Sequence, residues 1–136
     1  MIRQSQRRIV DAVGREKLRL LVAEDNEYLR EELLQVLDDE EEFSCVASTP
    51  SVDQIVPLCV SQEAQVVVLD LDLQGRSSLQ ELPSMRRALP DVRFVVFSGH
   101  ENPEIIRGAL RAGASAYVTK STHTDRLIEA IKQVGT

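Results

Sequence analysis

The sequence predicts an α/β domain in which a five-stranded parallel sheet is covered by helices on both faces. Three observations carry this. Short apolar runs recur, and each ends in polar or charged residues: Leu18–Ala23 before Glu24 and Asp25, Val66–Leu69 before Asp70, residues 94–97 before Ser98, and residues 116–119 before Lys120. Segments with helical spacing of apolar residues separate the runs. The connections are short, which makes successive strands parallel and the intervening helices crossovers.

The elements follow in order. Residues 1–17 precede the first strand as an N-terminal extension, and Ile2, Ile9, Val10 and Val13 give it a weak helical period, so a frayed helix is expected there. Residues 27–38 read as a helix with Leu33, Leu34 and Leu37 turned inward and Asn26 as its cap. The acidic block at residues 38–42 ends that helix as a solvated turn. Residues 44–48 form the second strand, and residues 51–60 a helix that Pro57 kinks or shortens. After the Asp70 strand, residues 74–78 read as a polar loop and residues 79–89 as a helix stopped by Pro90. A helix over residues 103–112 has proline in its first turn and Gly113 at its end, and a last helix spans residues 124–134.

Composition narrows the function classes. A chain of 136 residues is one domain's worth and buries roughly two-thirds of its unfolded surface. The net charge of −6 argues against DNA binding by this domain. Residues 1–17 carry a net +3 and the remainder −9. No apolar stretch approaches the ~18 residues of a membrane span, and no signal-peptide pattern opens the chain. Cys45 and Cys59 sit in apolar settings without CxxC spacing, as reduced buried thiols do, which points to the cytoplasm.

The strand ends carry the chemistry, because open α/β sheets bind ligands at the carboxyl edge of their strands. Glu24 and Asp25 are acids of the kind a helix N-terminus favours. Matched by Asp70 on another strand, they point to a divalent metal, since Mg²⁺ takes a few carboxylate oxygens plus water and phosphate oxygens. Asp70, which alone could be a turn or cap residue, becomes a candidate nucleophile able to form an aspartyl-phosphate. Asp72 has its backbone carbonyl within reach of such a metal while its side chain stays in solvent. Ser98 ends many strands unremarkably, but Gly99 after it leaves room for a ligand. Lys120 either reaches to solvent or neutralises an anion, and Asp70 favours the second. His100 reads as a surface-loop residue close enough to touch a bound group.

With these residues in place, the chain resembles the receiver domain of two-component response regulators over about residues 18–134, which implies a receiver domain at residues 18–136. The motifs are LLVAEDN, VVVLDLDLQG, FVVFSGH and GALRAGASAYVTK. The separations are 45 positions from Asp25 to Asp70, 28 from Asp70 to Ser98 and 22 from Ser98 to Lys120. The wording around LRAGASAYVTK is most similar to the LuxR/FixJ-type subgroup. The resemblance implies a flavodoxin-like (βα)5 sandwich with strand order 2-1-3-4-5. It implies that Asp70 takes a phosphoryl group from a sensor histidine kinase or phosphotransfer protein. Glu24, Asp25, Asp70 and the Asp72 carbonyl would hold Mg²⁺, directly or through water. Ser98 with Gly99 and Lys120 would bind the phosphoryl group, Tyr117 would be the aromatic switch, and Asp72 and His100 would tune turnover. The face built from the helix at 103–112, the Tyr117 strand and the last helix would then change, controlling transcription, with a homodimer forming on phosphorylation.

Such a domain is a phosphoacceptor with slow autodephosphorylation rather than an enzyme. Two positions depart from the family pattern: Gln74 stands where proline is usual, and Ser78 where glycine is. The extension at residues 1–17 lies outside the pattern as well. Two other readings compete. A haloacid-dehalogenase-type phosphatase also uses an aspartate nucleophile in a D-x-D, here Asp70-Leu71-Asp72, but its metal acids come last rather than first. A stand-alone relay or interaction module would keep the fold without the chemistry, at the cost of burying acids for structure alone.

Overall fold

The computed structural model describes residues 8–135. Strands β1 (Leu18–Ala23), β2 (Phe43–Thr49), β3 (Val66–Leu69), β4 (Arg93–Ser98) and β5 (Ala116–Thr119) form one sheet in the order β2-β1-β3-β4-β5. Every pairing is parallel. Helices α1 (Glu27–Asp38), α2 (Ile55–Gln62), α3 (Ser78–Ala88), α4 (Pro103–Ala112) and α5 (Thr124–Val134) connect and cover the strands.

Period-two alternation along buried strands splits the core in two. Leu21, Ala23, Val67, Leu69, Phe94 and Val96 join Ile55, Leu82 and Ala109 on the face covered by α2, α3 and α4. Leu20, Val22, Val66, Val68, Val95 and Phe97 join Leu33, Leu37, Leu127 and Ile131 on the face covered by α1 and α5. Val66, Val67, Val68 and Leu69 are all buried, as a central strand with helices on both sides must be. The chain leaves β1 for β2 at one edge and returns to β3 on the other side of β1. The carboxyl ends of β1 and β3 therefore flank the switch point where sheets of this class open a crevice.

Caps set where helices begin. Asn26 Oδ1 accepts from the Leu29 N–H at 2.9 Å, fixing the start of α1 one residue after Asp25. Pro103 opens α4, and Gly113 closes it at φ +124°, with Arg86 Cγ 2.6 Å from where a Cβ would stand.

Several expectations are revised. The helix expected from residue 51 is a 3-10 turn, Val52–Gln54, running into α2; Pro57 falls in the first turn of α2, where its missing N–H has no helical acceptor to lose. Residues 74–78 are not a plain loop: Asp72–Leu73 pairs antiparallel with Arg76–Ser77 in a short hairpin, and Ser78 already begins α3. The frayed helix expected in the extension is absent from its described part, residues 8–17; Ile2 lies outside the described residues. Gly14 at φ +86° turns the chain, Val10 bridges Glu16, and Asp11 Oδ1 accepts from the Val13 and Arg15 N–H groups at 2.9 Å each. The acidic block is more than a solvated turn, since Glu40 and Glu42 pair with Lys132 of α5 at 3.1 and 3.4 Å. Both cysteines are free, and burial raises each thiol to about 12. Among the described residues no helix is long and apolar enough to cross a membrane.

Candidate functional site

Register brings the candidate residues together. Ala23 is level with Leu69, Leu69 with Val96, and Ser98 with Thr119, so the next residue or two of β1, β3, β4 and β5 emerge at one edge. Backbone bonds lock those emergent residues: the Asp70 N–H donates to the Ala23 carbonyl at 3.0 Å and the Lys120 N–H to the Ser98 carbonyl at 2.8 Å.

Glu24, Asp25 and Asp70 offer carboxylate oxygens that all lie within 4.8 Å of one another. Glu24 and Asp70 are buried, whereas Asp25 is exposed. Lys120 Nζ bridges the two buried acids, 2.8 Å from Glu24 Oε1 and 3.0 Å from Asp70 Oδ2, with its side chain 26% exposed. The lysine thus neutralises anions in the site rather than reaching past them to solvent. Glu24 spends its other oxygen on the Asn26 N–H at 3.0 Å, and Arg30 holds the Glu24 carbonyl at 2.9 Å. Burial pushes the Asp70 carboxyl up to about 6, with the Lys120 hydrogen bond opposing and the Glu24 charge adding to the rise. Burial works against the Lys120 ammonium too, but the two carboxylates outweigh it and hold its pKa above the ordinary lysine value.

Ser98 is wholly buried, and its Oγ accepts from the His100 N–H at 3.3 Å. Gly99 is exposed beside it with open space where a Cβ would be. His100 is tied across the mouth of the site: Nε2 lies 2.6 Å from Asp72 Oδ2, and the Tyr117 hydroxyl donates to its carbonyl at 2.8 Å. Burial raises the Tyr117 hydroxyl above its ordinary pKa. The next residue, Glu101, accepts from the Ser121 hydroxyl, so the β4–α4 loop is also anchored beside Lys120. The Ser78 N–H donates to the Leu71 carbonyl at 2.9 Å. By the alternation of an antiparallel ladder, the Asp72–Ser77 pair then carries no backbone bonds, which keeps the Asp72 carbonyl out of the hairpin.

The sequence reading missed three groups. Gln74 donates its main-chain N–H to Asp25 Oδ2 at 2.8 Å, and Ser78 Oγ donates to the Asp70 carbonyl at 2.6 Å. Both are the positions that depart from the family pattern, and that departure was the available signal. Arg30 gave none, since its contact depends on how α1 leaves β1.

A model of the family described as the response regulator receiver domain matches residues 20–132. The transcriptional regulatory protein DegU of Brevibacillus brevis is 27% identical over 124 residues, covering 91% of this chain and 52% of that protein. The nitrate/nitrite response regulator protein NarL of Escherichia coli K12 is 27% identical over 120 residues, covering 88% of this chain and 56% of its own length. The chain therefore spans about half the length of the curated relatives it matches. Among solved structures, a two-component response regulator of the LuxR family from Aurantimonas sp. SI85-9A1 superposes with a TM-score of 0.82 at 25% identity, covering 88% of this chain and 85% of that one. Nothing in these matches favours the phosphatase alternative. Sheet order, switch point and family match agree, and the chain belongs to the response regulator receiver domains of two-component systems.

Proposed function

We propose that Asp70 is the phosphoacceptor, taking a phosphoryl group from a phosphohistidine of a sensor histidine kinase or phosphotransfer protein. An Asp70 oxygen forms the O–P bond as the N–P bond breaks, and the imidazole leaves with the bonding pair. The observation that carries this reading is the Lys120 ammonium lying between two buried carboxylates, one at the end of the central strand. A cation held there is already placed for the charge of a phosphoryl group.

Three clustered carboxylates, one open to water, fit a hard divalent ion such as Mg²⁺. Asp25 and Asp70 would hold it with the Asp72 carbonyl. Glu24, whose oxygens accept from Lys120 and from the Asn26 N–H, would contribute directly or through water. When bound, the ion supplies neutralising charge to the phosphoryl oxygens. Ser98 has its hydroxyl proton to give to a phosphoryl oxygen, with Gly99 leaving space and Lys120 pairing with another oxygen. Asp72 and His100 at the mouth would tune access of water and so the rate of self-dephosphorylation, which stays slow because neither is placed against Asp70 as a strong base.

The phosphorylated state would draw Ser98 inward, free the Tyr117 hydroxyl from the His100 carbonyl and repack the α4–β5–α5 face. That face would dimerise and pass the signal to a transcriptional output, with residues 1–17 an appendage to a receiver spanning 18–136. A cytoplasmic location goes with this reading, supported by two free cysteines.

Incubation with a small phosphodonor such as acetyl phosphate and Mg²⁺ tests the assignment. Wild type is expected to gain one phosphoryl group, Asp70→Asn none, and Asp25→Ala far less. Labelling of Asp70→Asn at the wild-type level would overturn it.

A further inference from the structure

Gln74 sits at the tip of the hairpin that follows Asp70, with φ +53°, and Gly75 follows at φ +77°. This left-handed pair is what a two-residue hairpin turn requires. The turn aims a main-chain donor back at the acidic triplet, across 49 residues of sequence: Gln74 N to Asp25 Oδ2 is 2.8 Å.

The turn is braced on both sides. At its base, Ser78 gives its N–H to the Leu71 carbonyl and its buried hydroxyl to the Asp70 carbonyl, at 2.9 and 2.6 Å. On its outer strand the Arg76 guanidinium spans Asp53 Oδ2 at 2.8 Å and Glu81 Oε1 at 2.7 Å. Arg76 thereby ties the hairpin to the segment leading into α2 and to the first turn of α3. The hairpin is consequently held, whereas the Asp25 side chain is exposed to solvent, where burial does not fix its rotamer.

We propose that the Gln74 main-chain N–H is a positioning group for Asp25, fixing the one exposed carboxylate of the triplet for a divalent cation. The inference rests on the reading of Glu24, Asp25 and Asp70 as a Mg²⁺ site. Carboxylates that ligate metals are held by further hydrogen bonds, and an orientation fixed before binding removes an ordering cost from the binding step. A proline at position 74 could not do this, because it has no N–H and its ring excludes a positive φ. Glycine could, since it keeps the donor and accepts the turn.

The test titrates Mg²⁺ into the full chain by calorimetry and follows exchange of the Gln74 amide by NMR. Gln74→Pro is expected to weaken Mg²⁺ binding by about tenfold, the lower end of what loss of such a support costs. Gln74→Gly is expected to stay near wild type. The Gln74 amide should be protected in wild type, more so with Mg²⁺, and should lose protection in Asp25→Ala. Wild-type affinity in Gln74→Pro overturns the proposal. If that variant does not fold, the amide decides: exchange as fast in wild type as in Asp25→Ala overturns it equally. A wild type that binds no Mg²⁺, or an Asp25→Ala variant that binds it fully, marks instead the failure of the metal-site reading.

Discussion

Lys120 reaches Asp70 across 50 residues of sequence, with Nζ 3.0 Å from Oδ2. The contact joins the ends of β3 and β5, two strands separated by β4, so it exists only once these three strands have paired. It also sets the electrostatic state of the site, because it is the one strong influence lowering a carboxyl that burial and Glu24 both raise.

The metal-free fold should therefore become more stable on mild acidification. The Asp70 carboxyl is raised from 3.8 to about 6, so the folded protein binds that proton more tightly than the unfolded chain does. Its stabilising contribution is complete below the unfolded value and is lost as pH rises through about 6. About 1.4 kcal/mol of that contribution is at stake between pH 5 and pH 8, roughly half of what a shift of this size supplies in full. Urea unfolding in EDTA at several pH values checks it. Asp70→Asn should flatten that dependence and be more stable than wild type at pH 8.

Lys120→Ala should cost about 2 kcal/mol at pH 8 without metal, because two buried carboxylates lose their shared cation. The loss should shrink at pH 5, where a protonated Asp70 no longer repels Glu24. An equal loss at both pH values would mean that lysine packing, rather than charge, sets the effect.

Much of this site is legible from the chain because each residue ends or follows an apolar strand. Val66–Leu69 must be central, so Asp70 must emerge at the sheet edge, and Ser98 at the end of β4 and Lys120 after β5 come to the same edge. What stays hidden depends on local turns. Gln74-Gly75 lacks the Asn-Gly or Asp-Gly wording of a common hairpin, yet positive φ at both residues makes one. In the extension, the i,i+4 spacing of Asp11 and Arg15 suits a helix. Instead Asp11 captures two backbone N–H groups and Gly14 reverses the chain. Glu40 and Glu42 look like solvated acids until α5 returns Lys132 beside them.

Ser78→Ala should destabilise the fold by about 1–2 kcal/mol, since it removes a 2.6 Å hydrogen bond to the Asp70 carbonyl inside a wholly buried site. Thermal or urea unfolding reads this directly. Phosphorylation by a small donor should slow as well, because the same bond fixes the backbone of Asp70.

Tyr117→Phe should leave phosphorylation of Asp70 intact while loosening the β4–α4 loop. It deletes the hydroxyl that holds the His100 carbonyl at 2.8 Å, worth about 1 kcal/mol. Amide exchange at His100 and Glu101 should rise. A beryllofluoride mimic should then give smaller chemical-shift changes over α4, β5 and α5 than it gives in wild type. Identical changes in both proteins would remove Tyr117 from the switch.

The identity of the phosphorylated residue decides whether Asp70 is the phosphoacceptor. The protein is incubated with acetyl phosphate and Mg²⁺, reduced with borohydride to convert an acyl phosphate into a stable alcohol, and mapped by peptide mass spectrometry. Homoserine is expected at position 70 alone, absent without Mg²⁺ and absent from Asp70→Asn. Reduction at Glu24, Asp25 or Asp72 with Asp70 untouched would contradict that assignment.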